Sequence, residues 1–242
     1  MTKSRRDPRY EFDGLCLRRP MIDAIANARW VETMGPGGTF LDLGANIGEI
    51  ALRCSNQFDH IVCVEANPMT CEIARRRIIA AGADHVSVVN RVVAPDGAKE
   101  TYWVSNPSPG AIGSTARPER RLKSRGDDYY FRVATMPLST LLARHRPRCV
   151  KIDIEGCEFE VFDESQTAAY DRLDGVEFMI IEFHRRRDER VRTIVGRLAD
   201  RGLDVANPEE FDSRTSWAAM TLMFVRQGFV LAPAATAAHR GR

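Results

Sequence analysis

Three observations predict an α/β fold with a mostly parallel sheet. Short apolar runs recur along the chain and end in polar residues, which is the pattern of buried parallel strands. The segments between these runs carry an apolar stripe at helical spacing. With 242 residues and 44% hydrophobic content, the chain is also long enough for a continuous core. We therefore expect strands and helices to alternate within a single domain over residues 1–242.

The two ends of the chain are expected to differ from its centre. Residues 1–37 are predicted to form a helical lead-in, with one helix over residues 20–33. Residues 38–230 are predicted to form the core. The last segment, residues 231–242, has too few apolar side chains to pack and is expected to be a flexible tail.

Five apolar runs are predicted strands, and helices are predicted between them. The strands are expected at residues 40–43, 61–64, 150–155, 179–183 and 220–225. Asn67 and Pro68 form a helix start signal after the second run, and Gly82 is expected to end that helix. Asp188 is expected to cap the helix that follows the fourth run, and Gly202 is expected to end it.

An insert at about residues 100–135 interrupts this alternation. Residues 101–104 and 131–134 are predicted to pair as a short hairpin beside the main sheet. The segment between them is rich in Gly, Pro, Arg and Lys, so it suits either a lid over a ligand or a solvated loop. If it is a lid, its basic cluster at residues 117–125 would grip an anionic ligand.

The turn after the first strand points to a nucleoside cofactor. Gly44 ends the apolar run and Gly48 opens a helix, so the backbone between them can approach a ligand closely. About 20 positions further on, the second strand ends in Glu65, whose carboxylate can accept hydrogen bonds from both ribose hydroxyls. Asn46 stands where a pyrophosphate-binding turn needs glycine. The pattern therefore favours a cofactor without phosphate, such as S-adenosylmethionine, over an ordinary turn that binds nothing.

Acidic residues and one histidine are expected to meet at one edge of the sheet. Asp153 and Glu155 belong to the third run, and His184 follows the fourth. Because the ligand crevice of an open α/β sheet lies beyond the carboxyl ends of its strands, these side chains should converge there with Asp42 and Glu65. Asp153 and Glu155 are two positions apart on one predicted strand, so they should point to the same side.

His184 has two interpretations of equal weight. An unperturbed imidazole titrates near neutral pH, so His184 could act as a general base, or it could cap a turn and hydrogen-bond a carboxylate. Asp153 and Glu155 could orient a ligand and align His184, or all three could bind a divalent cation. No dedicated ligand spacing is present, so no metal is predicted. Lys151 is a candidate partner for the carboxylates, and Glu182 is expected to support His184.

The order and spacing of five motifs resemble the FkbM family of S-adenosylmethionine-dependent methyltransferases. The motifs are LDLGANIGE, VCVEANP, VVNRVVAPDG, VKIDIEGCEFEVF and IIEFH, and they span roughly residues 38–187. The resemblance implies a class I, Rossmann-like methyltransferase fold with a mostly parallel seven-stranded sheet, helices on both faces and an inserted hairpin. It also implies S-adenosyl-L-methionine as the cofactor and O-methylation of a hydroxyl on a sugar, polyketide or other natural product.

The resemblance implies site residues as well. The predicted cofactor-binding residues are Asp42, Gly44, Ala45, Asn46, Gly48, Glu65, Ala66, Asn67, Val92 and Asp153. The chemistry of the residues at the sheet edge, rather than the resemblance, predicts His184, Glu155 and Asp153 as the catalytic residues. The segment between Trp103 and Phe131 departs from the family's usual pattern in its length and its basic residues, so the acceptor is the open question.

Composition argues against nucleic acid and membranes as partners. The 35 basic and 33 acidic residues leave a net charge of +2, and charge is clustered only locally. No segment has the ~20 apolar residues of a membrane span, and no signal peptide is recognisable. The six cysteines form no CxxC pair, which indicates reduced thiols in a cytoplasmic protein, and Cys157 is expected to fill a tight turn. The expected partner is a small-molecule acceptor, with an anionic acceptor and a homodimer left open.

Two other functions stay open as alternatives. Arginines at residues 75–77, 117–125 and 185–187 could form a basic rim, which would suit an RNA-directed methyltransferase or an RNA-binding module. The third strand ends in Asp-Ile-Glu-Gly rather than in the Asn-Pro-Pro-aromatic element typical of base amino methylation, which argues against that chemistry. A catalytically silent cofactor-binding protein is the third option, and the retained acidic residues argue against it.

Overall fold

A computed structural model describes residues 10–12, 15–17, 31, 36–98, 101–106, 115–117, 129–185, 187–211 and 219–229. The strands are β1 (Tyr10–Phe12), β2 (Leu15–Leu17), β3 (Thr39–Leu43), β4 (His60–Glu65), β5 (Val86–Asn90), β6 (Val92–Ala94), β7 (Thr101–Asn106), β8 (Thr115–Arg117), β9 (Tyr129–Pro137), β10 (Cys149–Ile152), β11 (Phe178–Phe183), β12 (Leu203–Val205) and β13 (Met220–Arg226). The α-helices are α1 (Glu49–Arg53), α2 (Pro68–Ala80), α3 (Leu138–His145), α4 (Glu158–Val161), α5 (Thr167–Tyr170) and α6 (Arg190–Ala199). Short 3-10 helices lie at Ser55–Gln57 and Pro208–Phe211.

The main sheet has seven strands in the order β12-β13-β11-β10-β3-β4-β5. Its central strands are parallel, whereas β13 is antiparallel to both of its neighbours. The prediction of a mostly parallel seven-stranded sheet is therefore confirmed. The chain order reverses at β3, which has β4 on one side and β10 on the other. An open α/β sheet binds its ligand at such a switch point, beyond the carboxyl ends of the strands.

Apolar side chains cover both faces of the main sheet. On β3, Leu41 and Leu43 pack into one buried cluster, whereas Phe40 packs into a second cluster on the opposite face. Helices α3 to α6 contribute to the first cluster, and α1 and α2 contribute to the second. The predicted helices on both faces are therefore confirmed. Asp42 lies between the two leucines and is fully buried, so β3 carries an acidic residue into the core just before its turn.

Helix α2 begins and ends as the sequence predicts. The side chain of Asn67 accepts hydrogen bonds from the backbone N–H groups of Met69 at 2.9 Å and Thr70 at 3.5 Å. Pro68 is the first helical residue, where its missing N–H costs nothing. Gly82 follows the helix with a φ of 64°, the left-handed conformation that commonly ends helices.

The insert forms a second sheet with the order β6-β9-β7-β8. Strands β7 and β9 are antiparallel, with Thr101 opposite Ala134 and Val104 opposite Phe131, so the predicted pairing is confirmed. Strand β6, which directly follows β5, is the parallel neighbour of β9 and joins the insert to the edge of the main sheet. Residues 118–128, which hold most of the basic cluster, lie outside the described residues.

Two boundaries differ from the prediction. The third predicted strand ends at Ile152 rather than at residue 155, because the chain then enters a turn. The N-cap of α6 is Glu189, whereas the carboxylate of Asp188 accepts a hydrogen bond from the N–H of Arg190 at 3.1 Å.

The predicted ends of the chain lie mostly outside the described residues, but the described part of the predicted helical lead-in includes an antiparallel pair of strands, β1 and β2, which the sequence did not predict. Within the predicted helix at residues 20–33, Val31 alone is described, and it is helical and buried. Residues 231–242 are not described. The division into lead-in, core and tail therefore stays a prediction.

The cysteines in the described part are free thiols. These are Cys54, Cys63, Cys71, Cys149 and Cys157, and all five are buried. Burial fits the interpretation of these residues as small packing side chains. None of the helices that the structure describes is long and apolar enough to cross a bilayer.

Candidate active site

The turn after β3 touches the segment after β10. Gly44 has a φ of 76°, and its N–H donates a hydrogen bond to the carbonyl oxygen of Val64 at 2.8 Å. A Cβ atom on Gly44 would lie 1.7 Å from the carbonyl oxygen of Asp153. Glycine is therefore required here, because any side chain would force two strand ends apart.

Glu65 closes the same turn from the end of β4. Its Oε2 accepts a hydrogen bond from the N–H of Asn46, and its Oε1 accepts one from the N–H of Asn67, both at 2.8 Å. Burial raises the pKa of Glu65 to about 7, although these two hydrogen bonds oppose the rise. Each carboxylate oxygen can still accept another hydrogen bond. Glu65 is therefore held in place to accept hydrogen bonds from a ligand that has two hydrogen-bond donor groups.

Lys151 connects the turn to the acidic residues. Its Nζ donates to the carbonyl oxygen of Gly44 at 2.9 Å and lies 3.1 Å from Oδ2 of Asp153 and 3.6 Å from Oδ1 of Asp42. Burial alone lowers the pKa of Lys151, but the charges of Asp153 and Asp42 outweigh it and raise the pKa. Lys151 therefore stays charged and compensates Asp42, whose oxygens accept no hydrogen bond within the described part of the chain.

His184 lies just beyond β11 among several carboxylates. Its Nδ1 is 3.0 Å from Oε1 of Glu158, which is fully buried at the start of α4. Its Nε2 is 3.3 Å from Oε2 of Glu155 and 3.6 Å from Oδ1 of Asp153. Glu182 is farther away, at 3.9 Å from Nε2. We call His184, Glu158, Glu155 and Asp153 the His184 cluster.

The carboxylates of this cluster control the charge of His184. Burial lowers the pKa of an imidazole, but the hydrogen bond to Glu158 and the charges of Glu158, Glu155 and Asp153 raise the pKa of His184 to about 9. At neutral pH the ring therefore carries a proton on each nitrogen. The sequence predicts a base that titrates near neutral pH. In the structure the pKa of His184 is higher, so the ring must first lose a proton before it can accept one.

A cleft opens beside the turn and the cluster, and the empty space in it, including space open to solvent, is about 530 Å³. It is lined by Gly44, Asn46, Val64, Glu65, Ala66, Arg91, Val92, Val93, Asp153, Ile154, Glu155 and Cys157. Asp153 and Glu155 belong both to this lining and to the His184 cluster, so a molecule in the cleft would lie against the cluster. The cleft occupies the switch point of the sheet, where the strand order predicts a ligand.

Residues 42–231 match the methyltransferase FkbM domain family. The matched region contains the turn, Glu65, the cleft and the complete His184 cluster. The chain belongs to the FkbM methyltransferase family. Its seven-stranded sheet with helices on both faces is the class I, Rossmann-like methyltransferase fold that the five motifs imply. The family assignment also supports S-adenosyl-L-methionine as the cofactor.

Solved structures that match this FkbM methyltransferase include two other methyltransferases. One is a precorrin-6y C5,15-methyltransferase from Geobacter metallireducens GS-15, with 16% identity, coverage of 88% of this chain and 94% of that chain, and a TM-score of 0.48. The other is a putative tRNA (m1A22) methyltransferase from Streptococcus pneumoniae in complex with S-adenosyl-L-methionine, with 12% identity, coverage of 88% and 76%, and a TM-score of 0.49. Both are too distant to assign an acceptor. No curated protein matches the sequence.

The predicted cofactor residues of this FkbM methyltransferase fall into two groups. Those that line the cleft are Gly44, Asn46, Glu65, Ala66, Val92 and Asp153. The other four predicted residues do not line the cleft. Asp42 and Ala45 are buried, Gly48 is the N-cap of α1, and Asn67 is the N-cap of α2. These four are placed to hold the lining residues in position.

Asp153 and Glu155 come together through a turn rather than through strand alternation. The strand ends before them, at Ile152. Glu155 then has a φ of 55° and Gly156 a φ of 101°, both in the left-handed region. Oε1 of Glu158 accepts a hydrogen bond from the N–H of Gly156 at 3.1 Å. The same carboxylate oxygen thus fixes both this turn and the ring of His184.

Sequence reasoning missed Glu158, and it gave no separate role to Arg91, which belongs to the VVNRVVAPDG motif. Glu158 starts a short helix in which Phe159 and Val161 are core residues, and this pattern of a charge beside core residues is the signal that could have found it. Arg91 lines the cleft, and its Nη1 donates to the carbonyl oxygen of Asn90 at 2.8 Å. Its position just after a strand end gave no distinct signal.

Three residues of the His184 cluster could also hold a metal ion. Asp153, Glu155 and His184 each offer one ligand atom, and these atoms lie within 4.8 Å of one another. Carboxylate and imidazole groups are suitable ligands for several divalent cations. In the structure the protonated imidazole of His184 contacts the carboxylates of Asp153 and Glu155 directly. The proposed reaction gives no role to a metal ion.

Replacing Gly44 with alanine is expected to destabilise the fold far more than the same change at Gly82. Both residues have a positive φ, so each substitution costs about 1–2 kcal/mol of backbone strain. A Cβ atom at Gly82 meets no atom within 4 Å, whereas one at Gly44 collides with the backbone of Asp153. We expect Gly44→Ala to lose about 4 kcal/mol or more in denaturant unfolding. Equal losses for the two variants would contradict the close approach at Gly44.

Proposed function

We propose that this protein transfers the methyl group of S-adenosyl-L-methionine to a hydroxyl oxygen of a small molecule. The observation that carries the proposal is the contact between the cofactor cleft and the His184 cluster, through Asp153 and Glu155. A methyl donor held in the cleft would present its methyl group near a group of side chains that can exchange protons. Such an arrangement suits an acceptor that must lose a proton as it reacts.

The cofactor is assigned to the cleft by its polar groups. Glu65 receives the ribose hydroxyls, because its two oxygens are held by backbone N–H groups and face the lining. The methionine portion would lie along the turn between Gly44 and Gly48, where Asp153 could receive its cationic ammonium group. The adenine would lie beside Val92 and Val93.

The proposed reaction is an in-line displacement. The acceptor oxygen forms a bond to the methyl carbon while the bond from that carbon to sulfur breaks, so S-adenosylhomocysteine leaves. The hydroxyl proton passes to Nε2 of His184 in its neutral form by way of the cleft-lining carboxylates of Asp153 and Glu155, and Glu158 holds the ring through Nδ1. The sulfonium of the donor is a cation, and a cation near the ring would lower the pKa of His184 from about 9. Much of the acceleration comes from holding the two reacting atoms in line.

The nature of the acceptor atom is tested with donor carrying a ¹³C-labelled methyl group. Purified protein is incubated with the labelled donor and a panel of hydroxyl-bearing small molecules, including sugars, phosphorylated sugars and polyketide alcohols. The ¹³C chemical shift of the product distinguishes a methyl group on oxygen from one on nitrogen or carbon. Signals only from N-methyl or C-methyl products would overturn the proposal of O-methylation while leaving the methyltransferase assignment intact.

Cofactor affinity is expected to increase with pH across the titration of Glu65. The pKa of this residue is raised to about 7, so its carboxylate is mostly protonated below that pH and ionised above it. Because the ionised form is the better acceptor for ribose hydroxyls, binding should strengthen by about tenfold from about pH 6 to about pH 8. Calorimetric titrations at both pH values measure this change. Glu65→Gln, which cannot ionise, should remove the dependence; a dependence that persists in this variant would assign it to another group.

The RNA-directed alternative gains no support from the arginines of α2. Arg75 and Arg76 pair with Glu72 at 3.7 Å and 3.1 Å, and Arg77 pairs with Glu49 at 2.6 Å. These side chains are thus partly committed to carboxylates of the same chain. We therefore keep the small-molecule acceptor as the proposal, and salt-dependent retention of RNA would argue for the alternative.

A further inference from the structure

A small apolar cluster joins the second sheet to the turn after β10. Its buried members are Val92, Ala94, Val133 and Cys157, and the partly buried side chains of Ala66, Ala98, Phe131 and Ile154 pack against them. We call these eight residues the insert cluster. Its members Ala66, Val92, Ile154 and Cys157 also line the cleft. The apolar part of the cleft wall therefore continues into the insert.

Phe131 and Ile154 are the largest side chains of the insert cluster that stay partly exposed. Phe131 lies two positions before Val133 on β9, so both side chains are on the same face of the second sheet. Ile154 lies in the turn after β10, between two carboxylates of the His184 cluster. Apolar surface is thus exposed directly beside the side chains that are proposed to take up the hydroxyl proton.

The exposure of the His184 cluster indicates its open side. The cofactor is assigned to the cleft, so an acceptor must reach the methyl group from where the cluster faces solvent. The side chain of Glu155 is 44% exposed, compared with 26% for Asp153 and 21% for His184. The more open side is therefore that of Glu155, which is the neighbour of Ile154 in the chain.

We propose that Ile154 and Phe131 form an apolar wall of the acceptor site and select an alcohol whose hydroxyl is next to an apolar ring or a branched carbon chain. This inference rests on the function proposed above and narrows its acceptor class. Burial of apolar carbon against the wall is favourable, whereas a polyol would lose the hydration of its other hydroxyls there. The carboxylates on both sides of Ile154 disfavour an anionic acceptor, because like charges repel.

The test is an NMR titration of protein that is labelled with ¹³C at the δ1 methyl groups of isoleucine and loaded with S-adenosylhomocysteine. The two probes have the same carbon ring: cyclohexanol has a single hydroxyl, and myo-inositol has a hydroxyl on every carbon. The signal of Ile154 is assigned by its loss in Ile154→Val. We expect cyclohexanol to shift this signal to saturation and its ring protons to give NOEs to the methyl group. The same concentrations of myo-inositol should leave the signal unchanged.

Phe131→Ala is expected to weaken the binding of cyclohexanol by about fivefold, because the probe loses part of its apolar contact. Phe229→Ala is the matched control. Phe229 is also partly buried, but it packs against the cluster on the other face of the main sheet, with its ring centroid 5.7 Å from the guanidinium carbon of Arg148. It follows β13, which is antiparallel to β11, so it lies at the opposite end of the sheet from the cleft. This variant should bind cyclohexanol as the unmodified protein does.

Three results would each rule out the apolar wall: no shift of the Ile154 signal with cyclohexanol, an equal response to both probes, or equal affinities in Phe131→Ala and Phe229→Ala. The NOEs in the unmodified protein decide the question if Phe131→Ala does not fold. Calorimetry with S-adenosylhomocysteine precedes the titration. Failure of that ligand to bind would contradict the proposed function, and the same probes are then titrated into the unloaded protein, so the two failures are distinguishable.

Discussion

Replacing His184 with alanine is expected to slow methyl transfer by about 100-fold or more, because the reaction loses the group that accepts the hydroxyl proton. Binding of the cofactor should change little, since His184 does not line the cleft directly and reaches it through Asp153 and Glu155. Single-turnover rates with saturating cofactor measure the first effect, and calorimetry measures the second.

A matched control for this variant is His85→Ala. His85 is also partly buried, with Nε2 at 2.7 Å from the carbonyl oxygen of Ser55, but it precedes β5 and so lies at the opposite end of the sheet from the cleft. This control should retain the rate of the unmodified protein. Because His184→Ala removes the partner of buried Glu158, thermal unfolding must first establish that the variant folds. A folded His184→Ala protein with an unchanged rate would refute the role of His184 as the base.

Replacing Glu65 with alanine is expected to weaken the binding of S-adenosyl-L-methionine by about 100-fold or more. A hydrogen bond to a charged group contributes about 1.5–3 kcal/mol, and the change removes two such bonds to the ribose. The variant also leaves the N–H groups of Asn46 and Asn67 without their acceptor, which loosens the turn. Calorimetric titration with the cofactor gives the dissociation constant directly.

Glu177→Ala is the matched control for Glu65. Glu177 immediately precedes β11 at the other end of the sheet, where it pairs with Arg148. Losing this carboxylate should leave cofactor affinity unchanged. If Glu65→Ala binds the cofactor as tightly as Glu177→Ala, the ribose is held elsewhere and the proposed orientation of the cofactor is wrong.

The fold was largely predictable because its elements carry strong local signals. The apolar runs at β3, β4, β10 and β11 mark buried strands, and Asn67 with Pro68 marks the start of α2. The end of β10 was missed, because Ile154 continues the apolar alternation although the chain has already turned. Periodicity cannot locate a turn that is fixed by a distant contact, such as that between Gly44 and the backbone of Asp153.

The members of the site were more predictable than their electrostatic state. Strand-end position was enough to bring Asp153, Glu155 and His184 together, since parallel strands end at one edge. The pKa of His184 was not predictable, because it depends on Glu158, which approaches the ring from another element and is fully buried. Such a shift arises from distances and burial, and these belong to the folded chain rather than to any segment of its sequence.

The central claim is that the cleft at the switch point binds S-adenosyl-L-methionine. The most direct test is isothermal titration of the folded protein with S-adenosyl-L-methionine and S-adenosylhomocysteine, with NAD as the control ligand. We predict micromolar binding of the first two and no binding of NAD, because Asn46 stands where a pyrophosphate would need glycine. Absence of binding for both adenosyl compounds in a folded sample would contradict the account.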